Sequence, residues 1–315
     1  MNKLNRPLIT GAGGFVGSHL AKQLAELPDT EMIYCVDLPN SVRFAELQKI
    51  KKVTIIEVDL SREDSFKNLP EDVTGVFCLA ALNGTQRFYE EPFTVLQGSI
   101  LPTIFALKRY AKVCPILYTS SSEVYASTIS NFHGEVPTPE NIIPSIEDVH
   151  NPRWSYGTAK LLGEVAVNAA SIEFGAETVI VRYHNVYGSN MGVDHFVPDF
   201  VNRVKHGTYE ISGASESRAF LHISDAVIGT IKAFEMASLH APIYHLGSDE
   251  ELLIIDAAKV ILKEMGKDWV SLTHLPDKVG SVKRRQAMTN KAFNDFGWKA
   301  KISFEQGIKM YLDES

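Results

Sequence analysis

The chain has 315 residues, of which 45% are hydrophobic and 22% charged, so it can bury a sizeable core in two domains or in one large one. Its formal net charge of −7 argues against nucleic acid or an anionic membrane as the main partner. Its three cysteines are an odd number without metal-ligand spacing, which disfavours a disulfide framework and favours a reducing cytoplasm.

A glycine-rich turn joins the first predicted strand, 8–10, to a predicted helix over 18–27. Glycines in such a turn let backbone N–H groups and the helix N-terminus approach a pyrophosphate. The order of strand, glycine turn and helix therefore predicts a dinucleotide-binding site. The candidate cofactor-binding residues of this turn are Gly11, Gly14, Phe15, Val16 and Gly17.

An acidic residue follows the second predicted strand, 32–36. Asp37 stands 20 residues after Gly17. A carboxylate in that place accepts hydrogen bonds from a ribose 2′-hydroxyl and repels a 2′-phosphate, which favours NAD over NADP. Arg43 lies nearby in the sequence and could accommodate a phosphate, so NADP stays open as the alternative.

Further predicted strands at 53–58, 73–79, 116–119 and 178–182 alternate with helices. This alternation predicts an α/β fold with a doubly wound parallel (Rossmann) sheet, completed by a smaller mixed α/β C-terminal substrate domain. Ligands of such sheets bind at the carboxyl ends of the strands. Further candidate cofactor-binding residues at those ends are Asp59, Leu60 and Ala80. Asp59 either contacts the adenine edge or caps the end of its strand.

Two polar side chains share one face of a helix predicted over 153–174. Tyr156 and Lys160 are four residues apart, a spacing that brings both to the same side. A nearby ammonium group favours the phenolate and lowers the pKa of a tyrosine. A tyrosine tuned in this way could take a proton from a sugar hydroxyl near neutral pH. The alternative is an ordinary helical pair without chemistry.

The glycine turn, Asp37, a serine-rich strand end at 120–122 and the Tyr156-x-x-x-Lys160 spacing follow one another in a familiar order. This order resembles the extended short-chain dehydrogenase/reductase family, and within it the NAD-dependent nucleotide-sugar epimerases, dehydratases and decarboxylases. The resemblance covers the chain from Leu8 to about Gly307. It implies that Ser121 binds the reacting sugar hydroxyl, that Tyr156 is the general base, and that Lys160 lowers the tyrosine pKa and holds the nicotinamide ribose.

The resemblance also implies an oxidation at a sugar carbon, usually C4, with NAD as the hydride acceptor. A ketone at C4 acidifies the C5–H bond and labilises a C6 carboxylate. The same oxidation can therefore be followed by epimerisation, dehydration or decarboxylation. Glu123 stands where dehydratases and decarboxylases of the family carry an acid, with Ser122 before it as a substrate-binding candidate. The arrangement resembles mannose-nucleotide dehydratases and uronic-acid decarboxylases. Alternatively, Glu123 faces a loop and does no chemistry.

Three residues of the second half resemble substrate-binding motifs of the family. Asn185 matches the Asn of R-x-x-N-x-Y-G, which contacts the substrate. Arg218 matches the arginine of G-x-x-x-x-R-x-F, and Arg285 matches a second diphosphate-binding arginine. With few acids expected beside them, the two arginines suit a nucleotide diphosphate. The alternative for Arg218 is an ordinary surface arginine.

The predicted elements and motifs divide the chain into two domains. We expect residues 1–182, with 221–240 packed back on them, to form the NAD-binding domain. Residues 183–220 and 241–315 are expected to form the nucleotide-sugar-binding domain. The segment 126–152 is rich in proline, asparagine and acidic residues. It is predicted to be a long loop lying over the site.

The resemblance implies an NAD-dependent nucleotide-diphosphate-sugar epimerase or dehydratase. A C4 dehydrogenase or ketoreductase and a uronic-acid decarboxylase are the alternatives, and a non-catalytic NAD-sensing scaffold is a remote one. The implied partners are NAD, a nucleotide-diphosphate sugar and a second copy of the chain in a homodimer, with no metal, no nucleic acid and no membrane. Because no signal-peptide pattern or membrane-length apolar run appears, we expect a cytoplasmic protein.

Overall fold

The computed structural model describes residues 2–276 and 283–314. The chain divides into two compact units, and each is assembled from separate stretches of sequence. The first unit comprises Met1–Val124, Asp148–Arg182 and Val227–Tyr244. The second comprises Tyr125–Glu147, Tyr183–Ala226 and His245–Ser315.

Short strands and longer helices alternate along most of the described chain. The strands are β1 (Pro7–Thr10), β2 (Ile33–Asp37), β3 (Val53–Glu57), β4 (Gly75–Cys78), β5 (Ile116–Ser121), β6 (Thr178–Tyr183), β7 (Val186–Tyr187), β8 (Glu210–Ile211), β9 (Ser217–Ala219), β10 (Leu221–His222), β11 (Ile243–Leu246), β12 (Glu251–Leu253), β13 (Thr273–His274) and β14 (Arg284–Arg285). The helices are α1 (Phe15–Ala25), α2 (Phe44–Leu47), α3 (Thr85–Glu90), α4 (Pro92–Tyr110), α5 (Ala126–Asn131), α6 (Trp154–Phe174), α7 (Phe196–Lys205), α8 (Ile223–Phe234), α9 (Ile254–Glu264), α10 (Asn290–Phe296) and α11 (Phe304–Asp313).

The first unit is built on a seven-stranded parallel sheet in the order β11-β6-β5-β4-β1-β2-β3. The chain runs outward from β1 through β2 to β3 and then returns to the other side of β1 with β4. Ligands of open α/β sheets bind at such a reversal, beyond the carboxyl ends of the strands. The doubly wound parallel sheet predicted from the sequence is confirmed.

Both faces of this sheet are covered by helices, because successive side chains of a strand point to opposite faces. On β4, Val76 and Cys78 belong to a buried cluster that includes Tyr110 of α4 and Val167 of α6. Phe77, between them, stacks on Phe234 of α8 with ring centroids 4.5 Å apart. The sheet is therefore the middle layer of the first unit.

The second unit is smaller and mixes helices with short strands. Its sheets are β10-β7, β12-β9-β14 and β13-β8. Its core contains aromatic and aliphatic side chains from several elements, among them Phe200 of α7, Ile261 of α9 and Phe304 of α11. The centre of the β12-β9-β14 sheet is β9, which carries Arg218.

Residues 125–147 depart from the sequence-based expectation in two ways. The prediction placed them in the first domain, whereas the structure groups them with the second unit. Backbone hydrogen bonds explain the grouping, because Thr138 N donates to Gln286 O (2.9 Å) and Met288 N donates to Thr138 O (2.8 Å). The predicted loop 126–152 also begins with a helix, α5. No helix among the described residues is both long and apolar enough to cross a membrane.

Helix α6 lies unusually close to β5. A Cβ atom added at Gly163 would overlap the hydroxyl and ring of Tyr118, so only glycine allows this approach. The hydroxyl of Tyr118 in turn donates to the carbonyl oxygen of Lys160 (3.3 Å). The position of the first three turns of α6 therefore depends on a residue without a side chain.

Replacing Gly163 by valine tests this contact. We expect Gly163→Val to lower the free energy of unfolding by about 2 kcal/mol or more, because the added atoms force Tyr118 or the helix to move. Urea denaturation measures the change. Gly192→Val is the control, since an added Cβ there meets nothing within 4 Å. Equal stabilities of Gly163→Val and the wild-type protein would contradict this packing.

Candidate active site

The glycine turn after β1 lies against the end of β4. Gly11 has a φ of +73°, a conformation that glycine adopts without strain. A Cβ atom there would come within 2.8 Å of the Cα atom of Ala80. The turn and Ala80 therefore meet at the topological reversal of the sheet, as the sequence pattern predicts.

Helix α1 begins at this turn, and the backbone N–H groups of its first turn have no acceptor within the helix. Gly14 precedes its first residue and provides no side-chain cap, and the first turn of this described helix contains no acidic residue. The N–H groups of Phe15, Val16 and Gly17 belong to the first turn, where an α-helix has no internal acceptors for them. Such a terminus attracts an anion through these N–H groups and the helix dipole. The three residues are suited to a cofactor pyrophosphate.

Asp37 is held beside the same turn at the end of β2. Its Oδ2 accepts a hydrogen bond from Gly13 N (2.9 Å) and its Oδ1 accepts one from Leu38 N (2.8 Å). Burial raises the pKa of Asp37, and these backbone hydrogen bonds act in the opposite direction. Arg43 donates from Nη1 to Gly13 O (3.1 Å), so both residues that bear on the choice of cofactor lie at the glycine turn.

The next candidates, Asp59 and Leu60, have local structural contacts. Asp59 Oδ1 accepts hydrogen bonds from Ser61 N (2.9 Å) and Ser61 Oγ (2.6 Å). These are the contacts of a strand-end cap, which was the alternative for this residue. Leu60 is only 4% exposed and belongs to the core of the first unit. An adenine-binding role for Asp59 therefore remains a prediction.

Four predicted catalytic residues lie together at the end of β5 and the start of α6. Ser121 is the last residue of β5, and its side chain is close enough to Tyr156 to influence the ionisation of the phenol. Glu123 N donates to Ser121 Oγ (3.3 Å), and the Glu123 carboxylate is close enough to influence the ionisation of Tyr156. The Lys160 ammonium lies 5.7 Å from the centroid of the Tyr156 ring. Ser122, predicted to bind substrate, begins the next turn and is 3% exposed.

The ionisation of Tyr156 differs from the sequence-based expectation. Burial, followed by the negative charge of Glu123, raises the pKa of Tyr156 above that of an ordinary tyrosine. Lys160 is not among the groups that lower this pKa, and its Nζ donates to the carbonyl oxygen of Thr119 (2.7 Å). Burial also lowers the pKa of Lys160 to about 8. In the protein alone, Tyr156 is therefore protonated at neutral pH.

A buried ion pair stands one helical turn beyond Lys160. Arg182 of β6 donates from Nε and Nη2 to the two carboxylate oxygens of Glu164, both at 2.8 Å. The Ser120 hydroxyl donates to the same carboxylate. The two charged side chains are 3% and 7% exposed. This network connects α6 to β5 and β6 next to the candidate catalytic residues.

Sequence reasoning missed three residues at this place. Phe88 of α3 stacks on the Tyr156 ring, with centroids 5.3 Å apart and planes 13° from parallel. Arg153 lies 3.9 Å from the Glu123 carboxylate, and Glu164 forms the ion pair just described. The spacing of Arg153, Tyr156, Lys160 and Glu164 by three and four residues was a usable signal. No local pattern connects Phe88 to Tyr156.

The structure brings the two candidate arginines of the second unit together. Arg218 of β9 and Arg285 of β14 are paired residues on neighbouring parallel strands. The expectation of few acids beside them is wrong. Arg218 Nη2 donates to Glu216 Oε2 (2.7 Å), and neighbouring Arg284 forms a bidentate pair with Glu251 (2.7 and 2.8 Å). Glu216 directly precedes β9, and Glu251 lies on β12, which sequence spacing does not show to pair with β9. These three arginines and two glutamates leave one net positive charge.

Asn185 lies near these strands through a contact with the backbone. Its Nδ2 donates to the carbonyl oxygen of Ala219 (3.0 Å), the residue after Arg218. Its φ of +41° is a conformation that asparagine adopts more readily than most residues. Asn185 therefore joins the connection after β6 to the arginine-bearing strand β9, and its role toward substrate stays a prediction.

Comparison with known proteins decides the family. The model of the "NAD dependent epimerase/dehydratase family" matches residues 7–247, more than half of the chain. The chain belongs to this family. It is therefore an NAD-dependent enzyme of the epimerase/dehydratase type, and the predicted resemblance, enzyme class and cofactor are confirmed.

Individual relatives are distant but cover the chain almost completely. A UDP-N-acetyl-alpha-D-glucosaminuronate decarboxylase of Bacillus cytotoxicus is 26% identical over 96% of this chain and 95% of its own length. A trifunctional UDP-glucose 4,6-dehydratase, 3,5-epimerase and reductase of Arabidopsis thaliana is 25% identical over 97% of this chain. The chain spans about half of that relative, 46% of its length. A UDP-glucuronic acid 4-epimerase of Bacillus cereus, crystallised with UDP-glucuronic acid and NAD, has the same fold (TM-score 0.84, 24% identity, 98% of both chains).

The residues of this family member fit NAD on structural grounds. The glycine turn leaves no room for side chains, the first turn of α1 offers N–H donors, and Asp37 supplies a carboxylate at the end of β2. Phe15, Val16 and Gly17 would hold the pyrophosphate, and Asp37 the adenosine ribose. Lys160 and Tyr156 would lie toward the nicotinamide ribose, as the family pattern implies.

The stability of this epimerase-family protein is expected to respond to pH through Lys160. Its pKa is about 8 in the folded protein, below the ordinary value of about 10.4 in an unfolded chain. Between these values the unfolded chain binds more protons at this lysine, so its contribution to stability rises with pH. The difference in unfolding free energy between wild type and Lys160→Met, measured with urea without added NAD, should shift in favour of wild type from about pH 8 to about pH 10. A flat or falling difference contradicts the buried lysine.

Proposed function

We propose that the protein is an NAD-dependent nucleotide-diphosphate-sugar epimerase or dehydratase that begins by oxidising the sugar at C4. The observation that carries this proposal is the grouping of Ser121, Tyr156 and Lys160 at the carboxyl end of β5, in the unit that also contains the glycine turn. The relatives named above act on uridine diphosphate sugars. We therefore infer a uridine diphosphate sugar as the substrate.

The first chemical step is proton removal from the C4 hydroxyl. The Ser121 side chain is close enough to Tyr156 to influence its ionisation, so one sugar hydroxyl placed between them would contact both side chains. Tyr156 takes the proton as general base. When bound, NAD supplies the hydride acceptor. Its positively charged ring favours the phenolate and so lowers the Tyr156 pKa from the raised value in the protein alone.

Lys160 acts through its hydrogen-bonding position. Its Nζ is anchored on the Thr119 carbonyl oxygen and retains two further N–H donors. We propose that these donors orient the nicotinamide ribose and add positive charge beside Tyr156. This explains why a lysine with a pKa of only about 8 is retained in a buried position.

Glu123 is proposed to act after the oxidation. A ketone at C4 makes the C5 proton acidic, and the Glu123 carboxylate lies at the same end of β5 as Tyr156. Removal of that proton leads to epimerisation at C5 or to loss of a C6 substituent. Decarboxylation of a uronic acid is the second candidate, favoured by the decarboxylase relative that covers nearly the whole chain.

Arg218 and Arg285 are proposed to bind the diphosphate. Their strands pair in register, and a guanidinium group forms two parallel hydrogen bonds with phosphate oxygens. The ion pair between Arg218 and Glu216 fixes the first guanidinium in place. Asn185, whose amide binds the backbone of the same strand, is proposed to assist them.

A panel of uridine and thymidine diphosphate sugars tests this function. The NAD-loaded protein should convert at least one sugar, with mass spectrometry in D2O identifying an epimer, loss of water or loss of CO2. Tyr156→Phe should lower kcat by about 1,000-fold or more with a small change in KM, because the phenylalanine keeps the ring stacking on Phe88 but cannot accept the proton. Unchanged turnover by Tyr156→Phe would contradict the mechanism.

We also infer that the enzyme works in the cytoplasm as a homodimer. All three cysteines are free, in keeping with a reducing compartment. Helix α6 packs on α4 and exposes apolar side chains on one face, with Leu162 47%, Val165 59% and Ile172 78% exposed. An exposed stripe of this kind suits association with a second copy of the same surface.

A charge placed in the stripe tests the dimer. Wild-type protein should have twice the mass of one chain in light scattering, and Val165→Glu should shift it toward the monomer because two buried carboxylates would face each other. Val193→Glu is the matched control, since Val193 is 68% exposed in the second unit. A monomeric wild-type protein would contradict the proposal.

A further inference from the structure

Arg153 lies directly before the catalytic helix and uses only some of its donors. Its Nη2 is 3.9 Å from Glu123 Oε2, which is an ion contact and too long for a hydrogen bond. Its guanidinium carbon lies 5.6 Å from the centroid of the Trp154 ring. The Nε atom is buried and has no hydrogen-bond partner among the described residues. The exposed part of the side chain, 21%, is therefore the part of the guanidinium that a ligand can reach.

The position of Arg153 relates it to the reacting groups. It precedes Tyr156 by three residues, so the two side chains lie on one side of the helix. Both are coupled to Glu123, the arginine through the ion contact and the tyrosine through the effect of the carboxylate on its ionisation. A guanidinium, a carboxylate and a phenol therefore form one cluster in the first unit.

The Arg153 side chain is held in place but stays partly accessible to solvent. Its side chain is 21% exposed, and the neighbouring Glu123 side chain is 22% exposed. Stacking on Trp154 and attraction to Glu123 restrict the guanidinium, so little rotational freedom is lost when a ligand binds. The group has the properties of a preorganised anion receptor beside Tyr156.

The proposed substrate restricts which anion this can be. A nucleotide sugar has a diphosphate and, when the sugar is a uronic acid, a carboxylate at C6. In the function proposed above, Arg218 and Arg285 bind the diphosphate. The C6 carboxylate is attached to C5, next to the C4 hydroxyl that Tyr156 deprotonates. Its two oxygens match the planar fork of a guanidinium.

We propose that Arg153 binds the C6 carboxylate of the sugar, and that the substrate is a uridine diphosphate hexuronic acid. This inference rests on the proposed function and narrows its substrate class. Because a uronic acid has no C6 hydroxyl to lose, the reaction is then epimerisation or decarboxylation, and not dehydration. Arg153 bridges the substrate carboxylate and Glu123, so that its positive charge offsets the repulsion between the two anions. Neutral hexoses lack an anionic group for this partly exposed guanidinium and are bound less tightly.

A rival explanation is that Arg153 only holds Glu123. Its loss would then disturb Glu123 and Tyr156 in the same way whatever substituent is present at C6. The two explanations differ in their effect on a pair of sugars that have a carboxylate or a hydroxymethyl group at C6 and are otherwise identical.

Calorimetric titration with UDP-glucuronic acid, UDP-glucose and UDP separates them. NAD-loaded protein is used in a Tyr156→Phe background, which prevents turnover. UDP-glucuronic acid should bind more tightly than UDP-glucose.

Arg153→Met should weaken the binding of UDP-glucuronic acid by about 30-fold or more, with a much smaller effect on the binding of UDP-glucose and UDP. Arg153→Lys should restore part of the loss, because it keeps the charge without the fork. Lys67→Met, which removes an exposed cation, should leave all three affinities unchanged.

The outcomes distinguish the inference from the function on which it rests. Equal weakening of both sugars by Arg153→Met, or tighter binding of UDP-glucose than of UDP-glucuronic acid by the parent protein, overturns the role of Arg153. Retained UDP binding by Arg153→Met shows that the variant is folded. If the parent protein binds neither UDP nor either sugar, the proposed function fails, and the inference fails with it.

Discussion

The positions of the proposed catalytic residues depend on one close approach, between Gly163 of α6 and the Tyr118 ring of β5. Without a side chain at Gly163, the helix lies near enough to the strand for two further contacts. Lys160 Nζ reaches the Thr119 carbonyl oxygen, and the Glu164 carboxylate accepts from the Ser120 hydroxyl. Consecutive residues of β5 thus hold successive turns of α6. Ser121, the next residue of the strand, then stands against Tyr156.

This arrangement buries charged side chains, whose burial does not by itself stabilise the folded protein. The pair between Glu164 and Arg182 is almost completely buried, and desolvation offsets most of the attraction in such pairs. Its bidentate geometry instead specifies one register of α6 relative to β5 and β6. Lys160 also loses solvation, as its lowered pKa indicates. The first unit therefore uses part of its folding free energy to orient Tyr156, the proposed general base, and its neighbours, as is common at active sites.

The parts of this site that could be predicted are those determined by local spacing. The glycine turn follows from residues 11–17, and the shared face of Tyr156 and Lys160 follows from their separation of four. Parallel strands bring their carboxyl ends to one edge, so Asp37 and Ser121 could be assigned to that edge from strand order alone. The same rule predicted the doubly wound sheet.

Other features depend on contacts that sequence spacing does not contain. The stacking of Phe88 on Tyr156 joins residues 68 positions apart, 156 − 88. The raised pKa of Tyr156 results from burial and from Glu123, whereas the sequence suggested a simple effect of Lys160. Glu216 could be recognised as the partner of Arg218 only once the side-chain geometry was known. The grouping of residues 125–147 with the second unit depends on backbone pairing with residues 286 and 288.

In the proposed mechanism, an oxidation at C4 precedes every later change in the sugar. Rapid mixing of the NAD-loaded protein with UDP-glucuronic acid, either unlabelled or deuterated at C4, tests this most directly. The absorbance of reduced nicotinamide should rise transiently and then fall, and deuterium at C4 should slow the rise by a primary isotope effect. Product formation without reduced nicotinamide, at equal rates for both substrates, would contradict it.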